Sequence, residues 1–170
     1  VERRVEGELR LEKEVWVAGL AVCEEYLKWY CCPPGKGAGT IAEAWVSRGD
    51  LVAAHYCMNY SVDLLLEALF AVGKEFLPPP KWRIFYSYRL KWLPENYEAL
   101  LKEAMKVRAF SVEALDRRLG AVRKLWSSML PKVEEATTRG DGWEIDLNSL
   151  RCVYEIQTNP LETPIEDDGE

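Results

Sequence analysis

Arg48, His55 and Asn59 come nearest in this chain to the residue types and spacing of an acid–base site. His55 is the only histidine. An imidazole titrates near neutrality, and beside a cation it can act as base or acid on a ribose hydroxyl and phosphate. From 48 to 55 is close to two helical turns, so on one continuous helix Arg48 and His55 share a face and Asn59 lies a turn beyond. The competing reading is structural: Arg48 ends a separate helix, and His55 hydrogen-bonds a carboxylate or tyrosine on a neighbour. A second group gathers around the triple proline at 78–80. There Lys74, Lys81 and Arg83 flank Trp82, and a rigid corner of this kind can set cations on phosphates while the indole stacks on a base. The alternative is a solvated turn whose Trp82 caps the core. A third group is acidic: Asp63 and Glu67 at i,i+4, then Asp141, Glu144 and Asp146. Carboxylates so spaced can bind a metal, but a solvated flank is the commoner outcome, and no metal site is assigned.

A long amphipathic helix must position the first two groups. Leu51, Ala54, Met58, Val62, Leu65, Leu69, Val72 and Phe76 recur at steps of three or four. That single apolar stripe predicts a central helix over about 50–77, with Asp50 as N-cap and Pro78 as stop. Upstream, 1–14 reads as a short strand or the frayed start of a helix, and Val15 to Tyr30 as a helix buried on two sides. Thr40 with Glu43 forms a capping box for a helix over Ile41 to Arg48, which either ends at Gly49–Asp50 or runs on into the central one. Downstream come a short aromatic-rich helix over Trp82 to Trp92, a helix with Pro94 at N1, and a helix from Ser111 to about Pro131. Trp82, Phe85, Tyr86, Tyr88 and Trp92 interleave with Lys81, Arg83, Arg89 and Lys91 as in nucleic-acid binders, although helical spacing favours core packing with a basic outer face. Residues 134–141 read as a loop and 143–156 as either a short strand pair or irregular packing. The fold expectation is an all-α bundle of five or six helices, one domain over 1–160, with a disordered acidic tail at 161–170.

Composition narrows the classes. The 170 residues suffice for one domain whose core needs no staples, and 48% hydrophobic with 29% charged residues is a globular balance. A net charge of −6 argues against general nucleic-acid binding while leaving room for a local basic pocket. Cys23, Cys31, Cys32, Cys57 and Cys152 form no C-x-x-C pair, which predicts free thiols, no zinc site and a reducing, cytoplasmic setting. No apolar run is long enough for a membrane span. Gly35-Lys36-Gly37 lacks the earlier glycine and the Ser/Thr of a P-loop.

The stretch Arg48 to His55, followed by 65–72, Phe76-Leu77-Pro78 and Lys81-Trp82, resembles the helical domain that follows the catalytic domain in an uncharacterised family of predicted nucleotidyltransferases. Phe70, Lys74, Phe76, Pro78, Lys81, Trp82 and Leu93-Pro94 match that pattern, with Gly73 where it has asparagine, over roughly residues 45–105. Such domains are similar to the substrate-binding and HEPN-type helical bundles that partner minimal nucleotidyltransferases. The resemblance implies a non-catalytic substrate- or nucleotide-binding module, with Lys81, Arg83 and Lys74 toward phosphates, Trp82 as the wall, and His55 and Asn59 as polar pocket residues. The transfer chemistry itself needs a Gly-Ser turn and an Asp-x-Asp pair holding two metal ions, and neither occurs in these 170 residues. The catalytic domain or subunit is then a partner, and Mg-nucleotide would reach the module through it. The second expectation is a metal-independent HEPN-type ribonuclease, acting as a homodimer, from Arg48-x6-His55, which fits that signature in its loosest form. The third is a structural protein-interaction domain.

Overall fold

The computed structural model describes the backbone of residues 2–32 and 39–138, with side chains from Trp16 to Cys32 and from Gly39 to Thr137. Six helices and no strand occur among the described residues: α1 Glu2–Tyr30, α2 Ile41–Ser47, α3 Leu51–Val72, α4 Pro80–Ser87, α5 Tyr97–Met105 and α6 Val112–Thr138. The chain is thus an all-α bundle. The domain limits, tail and strand pair expected beyond residue 138 lie outside the described residues.

The apolar stripe makes α3 the hub, and it packs against each of the other five helices. Ala54, Met58, Val62, Leu65 and Leu69 are buried as the spacing requires, and Leu64, Leu66, Ala68 and Phe70 are buried as well. A helix hydrophobic on so many sides must sit inside its neighbours. α1 lies along it through Leu20, Cys23 and Leu27, and α6 through Leu115, Leu119, Val122, Leu125 and Met129. The two-sided burial expected of α1 is not found at Trp29, which is 57% exposed and donates from Nε1 to Glu25.

Helix ends account for most departures from expectation. The capping box at Thr40 and Glu43 is present, and Asp50 accepts from the Ala53 amide at 2.9 Å. Between them Gly49 takes φ +80°, so α2 and α3 are separate helices. The C-terminal end of α3 falls at Val72, not near Pro78. Lys74 there adopts a left-handed φ of 56°, and the Glu75 amide folds back onto the Phe70 carbonyl at 3.0 Å, which ends the helix before the prolines are reached. Pro80 then stands at N1 of α4, where its missing N–H costs nothing. Pro94 is not at N1 of α5, because Asn96 in the left-handed region restarts the chain at Tyr97. α6 carries Pro131 inside it and runs on to Thr138, so 134–138 is helix, not loop.

Candidate functional site

His55 is 2% exposed, and both its ring nitrogens are engaged. Nε2 donates to the Ser111 carbonyl at 3.2 Å, leaving Nδ1 to accept from Arg118 Nη1 at 3.1 Å. The ring is therefore neutral. Burial, with the Arg118 charge alongside, holds it below its ordinary value of 6.5. Phe110 meets it edge-on at 5.4 Å.

Arg118 itself is fully buried with no carboxylate against it among the described residues. Its guanidinium is held instead by neutral acceptors: Nε to the Ala104 carbonyl at 2.6 Å, Nη1 to the His55 carbonyl at 3.0 Å, and Nη2 to Asn59 Oδ1 at 2.5 Å. Burial lowers its pKa, yet an arginine stays charged under any ordinary condition. Arg118 thus joins α3, α5 and the start of α6, and His55 and Asn59 are its ligands. The cation expected beside His55 is supplied by α6 and not by Arg48. Arg48 caps the end of α2 with its guanidinium 4.9 Å from the Trp45 ring centroid.

Around the prolines the side chains divide into two groups. Arg83 turns back onto the fold, Nε donating to the Pro78 carbonyl at 3.2 Å and Nη1 to Asp63 Oδ1 at 3.4 Å. This ties α4 to α3 and gives Asp63 a defined role. Glu67, a turn along, is pushed up in pKa by burial, with Arg83 opposing the shift. Trp82, Phe85 and Tyr86 point the other way. They are 45%, 47% and 43% exposed, and their ring centroids lie 5.3 to 6.1 Å apart. Core packing, which helical spacing favours for Trp82, Phe85, Tyr86, Tyr88 and Trp92, is found at Trp92 and not at these three rings. Only Ser87 of α4 is buried. Arg89 lies over the Phe85 face at 4.3 Å and over Tyr86 at 5.7 Å, and Lys81 Nζ is 5.9 Å from Trp82. Neither Lys81 nor Arg89 has an ion-pair partner among the described residues.

Lys74 sits away from that face, at the rim of a cleft of about 430 Å³ between α1, the end of α3 and the end of α6, with Trp16, Leu20, Val72 and Lys132 among its walls. The expected set Lys74, Lys81, Trp82, Arg83, His55 and Asn59 therefore does not converge. The described structure brings together Lys81 and Trp82, and adds Phe85, Tyr86 and Arg89. No group of three His, Cys, Asp or Glu side chains is placed to hold a metal ion among the described residues, and no described helix is long and apolar enough to cross a membrane.

The signals that could have found the missed residues differ in strength. Phe85, Tyr86 and Arg89 follow Trp82 at three-to-four-residue steps, so they share its face once α4 is known to be a surface helix. Arg118 stands between Leu115 and Leu119 on the apolar stripe of α6, and a charge there marks a buried polar node. No protein-family model matches the chain, and neither a curated protein nor a solved structure is significantly similar to it.

Proposed function

We propose that this chain is a non-catalytic helical module that binds a nucleotide or nucleotide-bearing substrate on the outward face of α4, presenting it to a nucleotidyltransferase catalytic domain. One observation carries the reading: Trp82, Phe85 and Tyr86 form an exposed ring cluster beside two cations, Lys81 and Arg89, that no described carboxylate neutralises. Large rings held half in water are costly unless something covers them. A base supplies a flat apolar surface for the rings, and its phosphates supply charge for the cations. Trp82 is the stacking wall, Arg89 and Lys81 contact phosphate, and Arg83 positions α4 through Asp63. His55 and Asn59 serve the fold in this reading, by holding Arg118.

Calorimetric titration with Mg-ATP and the other nucleoside triphosphates tests the proposal. Base stacking on one aromatic is worth about 1–3 kcal/mol, so Trp82→Ala should weaken binding on the order of tenfold. Arg89→Ala should weaken it further for triphosphates than for nucleosides. Both residues are exposed, so the variants should fold as the parent does. Binding that is absent from the parent, or equal in parent and variants, removes the α4 site.

A further inference from the structure

Cys31 and Cys32 follow the last residue of α1, and their sulfurs lie 3.5 Å apart. Side chains of adjacent residues ordinarily diverge. Here the backbone bends so that both amides bond to one carbonyl, Leu27 O, at 3.0 Å from Cys31 and 2.7 Å from Cys32. Arg123 fixes the bend from α6: Nε donates to the Cys31 carbonyl at 2.6 Å, and Nη2 reaches Glu43 at 3.3 Å. Cys31 is fully buried and Cys32 half-buried, so a reagent meets the pair from the Cys32 side. Nothing in the α4 reading uses these thiols.

We propose that Cys31 and Cys32 form a vicinal-dithiol site for a trivalent, pyramidal thiophilic centre, with organoarsenic(III) oxides as the ligand class. The geometry selects this class over the alternatives. Adjacent Cα atoms are about 3.8 Å apart across a trans peptide, short of the roughly 4.4–6.8 Å that ordinary disulfides span, so direct S–S closure is disfavoured. With bonds to sulfur of about 2.3 Å, as zinc has, sulfurs at this separation subtend about 100° at a shared centre. That is a pyramidal angle. A linear two-coordinate ion with such bonds would need the sulfurs about 4.6 Å apart, and a tetrahedral one needs further ligands. No third His, Cys, Asp or Glu side chain completes such a set among the described residues.

The step balances without an oxidant. In R–As=O two As–S bonds form as two S–H bonds break, and the oxygen leaves with both protons as water. Arsenic stays trivalent and keeps R as its third substituent. The two sulfurs bond in turn, and the second closes the ring.

The test treats the reduced full chain with one equivalent of phenylarsine oxide. Intact mass should rise by one phenylarsenic unit less two hydrogens, and two of the five cysteines should be lost to thiol titration. The adduct should survive excess monothiol and be removed by a dithiol. Tryptic mapping should place it on residues 29–36, between Lys28 and Lys36. Because the sulfurs are already placed, the adduct should raise the melting temperature, as any ligand does that favours the folded state. Cys32→Ser should lose the monothiol-resistant adduct and Cys57→Ser should keep it. An adduct mapping to Cys23, Cys57 or Cys152, one surviving in Cys32→Ser, or one that lowers the melting temperature overturns the proposal. Mapping and melting are done on the parent chain, so they decide the matter even if a variant fails to fold.

Discussion

At the scale of single residues the dominant object is a buried cation without a counter-ion among the described residues. Arg118 is surrounded by two backbone carbonyls, an amide oxygen and an imidazole nitrogen, all neutral. Its charge is stabilised by dipoles that point at it, and removing it strands the Ala104 and His55 carbonyls and the imidazole in a buried site, while the exposed Asn59 amide can turn to water. Arg118→Ala should therefore cost about 3–5 kcal/mol, measured by urea unfolding, since each orphaned acceptor is worth roughly 1–3 kcal/mol and a cavity is added. A loss below about 1 kcal/mol would mean that water reaches the node. His55 gives a pH signature from the same site. Its folded pKa is lowered from 6.5, so just below that pH the unfolded chain takes up a proton that the folded chain refuses. The stability from neutral His55 is complete above about pH 6.5 and falls as the pH drops below it, until the buried ring itself protonates. His55→Gln should flatten this part of the stability profile, and an unchanged slope would place the titration elsewhere. Little of this was legible beforehand. His55 stood out by being alone, but its partner lies 63 residues away on another helix, and sequence spacing reports only neighbours on the same one.

At the scale of elements, periodicity told where helices are and told much less about where they stop. The α3 stripe, the Thr40 box and the Asp50 cap are local patterns, and local patterns can be read from a chain. The end of α3 is not written in the sequence, because Pro78 is a conspicuous breaker whereas Lys74, where the helix does end, is an ordinary residue in an unusual conformation. Gly73 is not the left-handed residue, although glycine is the type that suits that role. It sits where a Cβ would come within 3.3 Å of Leu90 Cδ2, so its smallness serves close packing instead. Left-handed backbone costs a side-chain-bearing residue about 1–2 kcal/mol, partly offset for glycine by its greater freedom when unfolded. Lys74→Gly should therefore stabilise the protein by roughly 0.5–1 kcal/mol, read as a shift in the urea midpoint at constant slope. A destabilised variant would show that the lysine stem contributes packing along the Trp16–Lys132 cleft. The aromatic face of α4 is hidden from sequence patterns for a similar reason. Helical spacing makes rings share a side but does not say which side faces water.

At the scale of the whole molecule, the core of the described residues runs through α1, α2, α3, α5 and α6, and α4 lies at its edge, touching it through Ile84. Ser87 anchors α4 by accepting from the buried Tyr97 hydroxyl at 2.7 Å, and Arg83 anchors it through Asp63. A helix held by these polar ties and by Ile84, which packs against the core, leaves its outer face free to be shaped for a ligand, whereas more than half of α3 is buried. Arg123 has a consequence of another kind, in the order of assembly. Its bonds to Cys31 and Glu43 close loops of 92 and 80 residues, and a loop of that length is entropically expensive until other contacts have already brought its ends together. The α1–α3 and α5–α6 contacts span shorter stretches of chain, so they are placed to form first. Arg123→Ala should accelerate unfolding and leave the folding rate nearly unchanged in stopped-flow measurements. Equal slowing of folding would mean that the junction of α1 and α2 is recruited early. On this reasoning Arg123 is a latch that closes late, and how long the native bundle survives depends on it more than how fast the bundle forms.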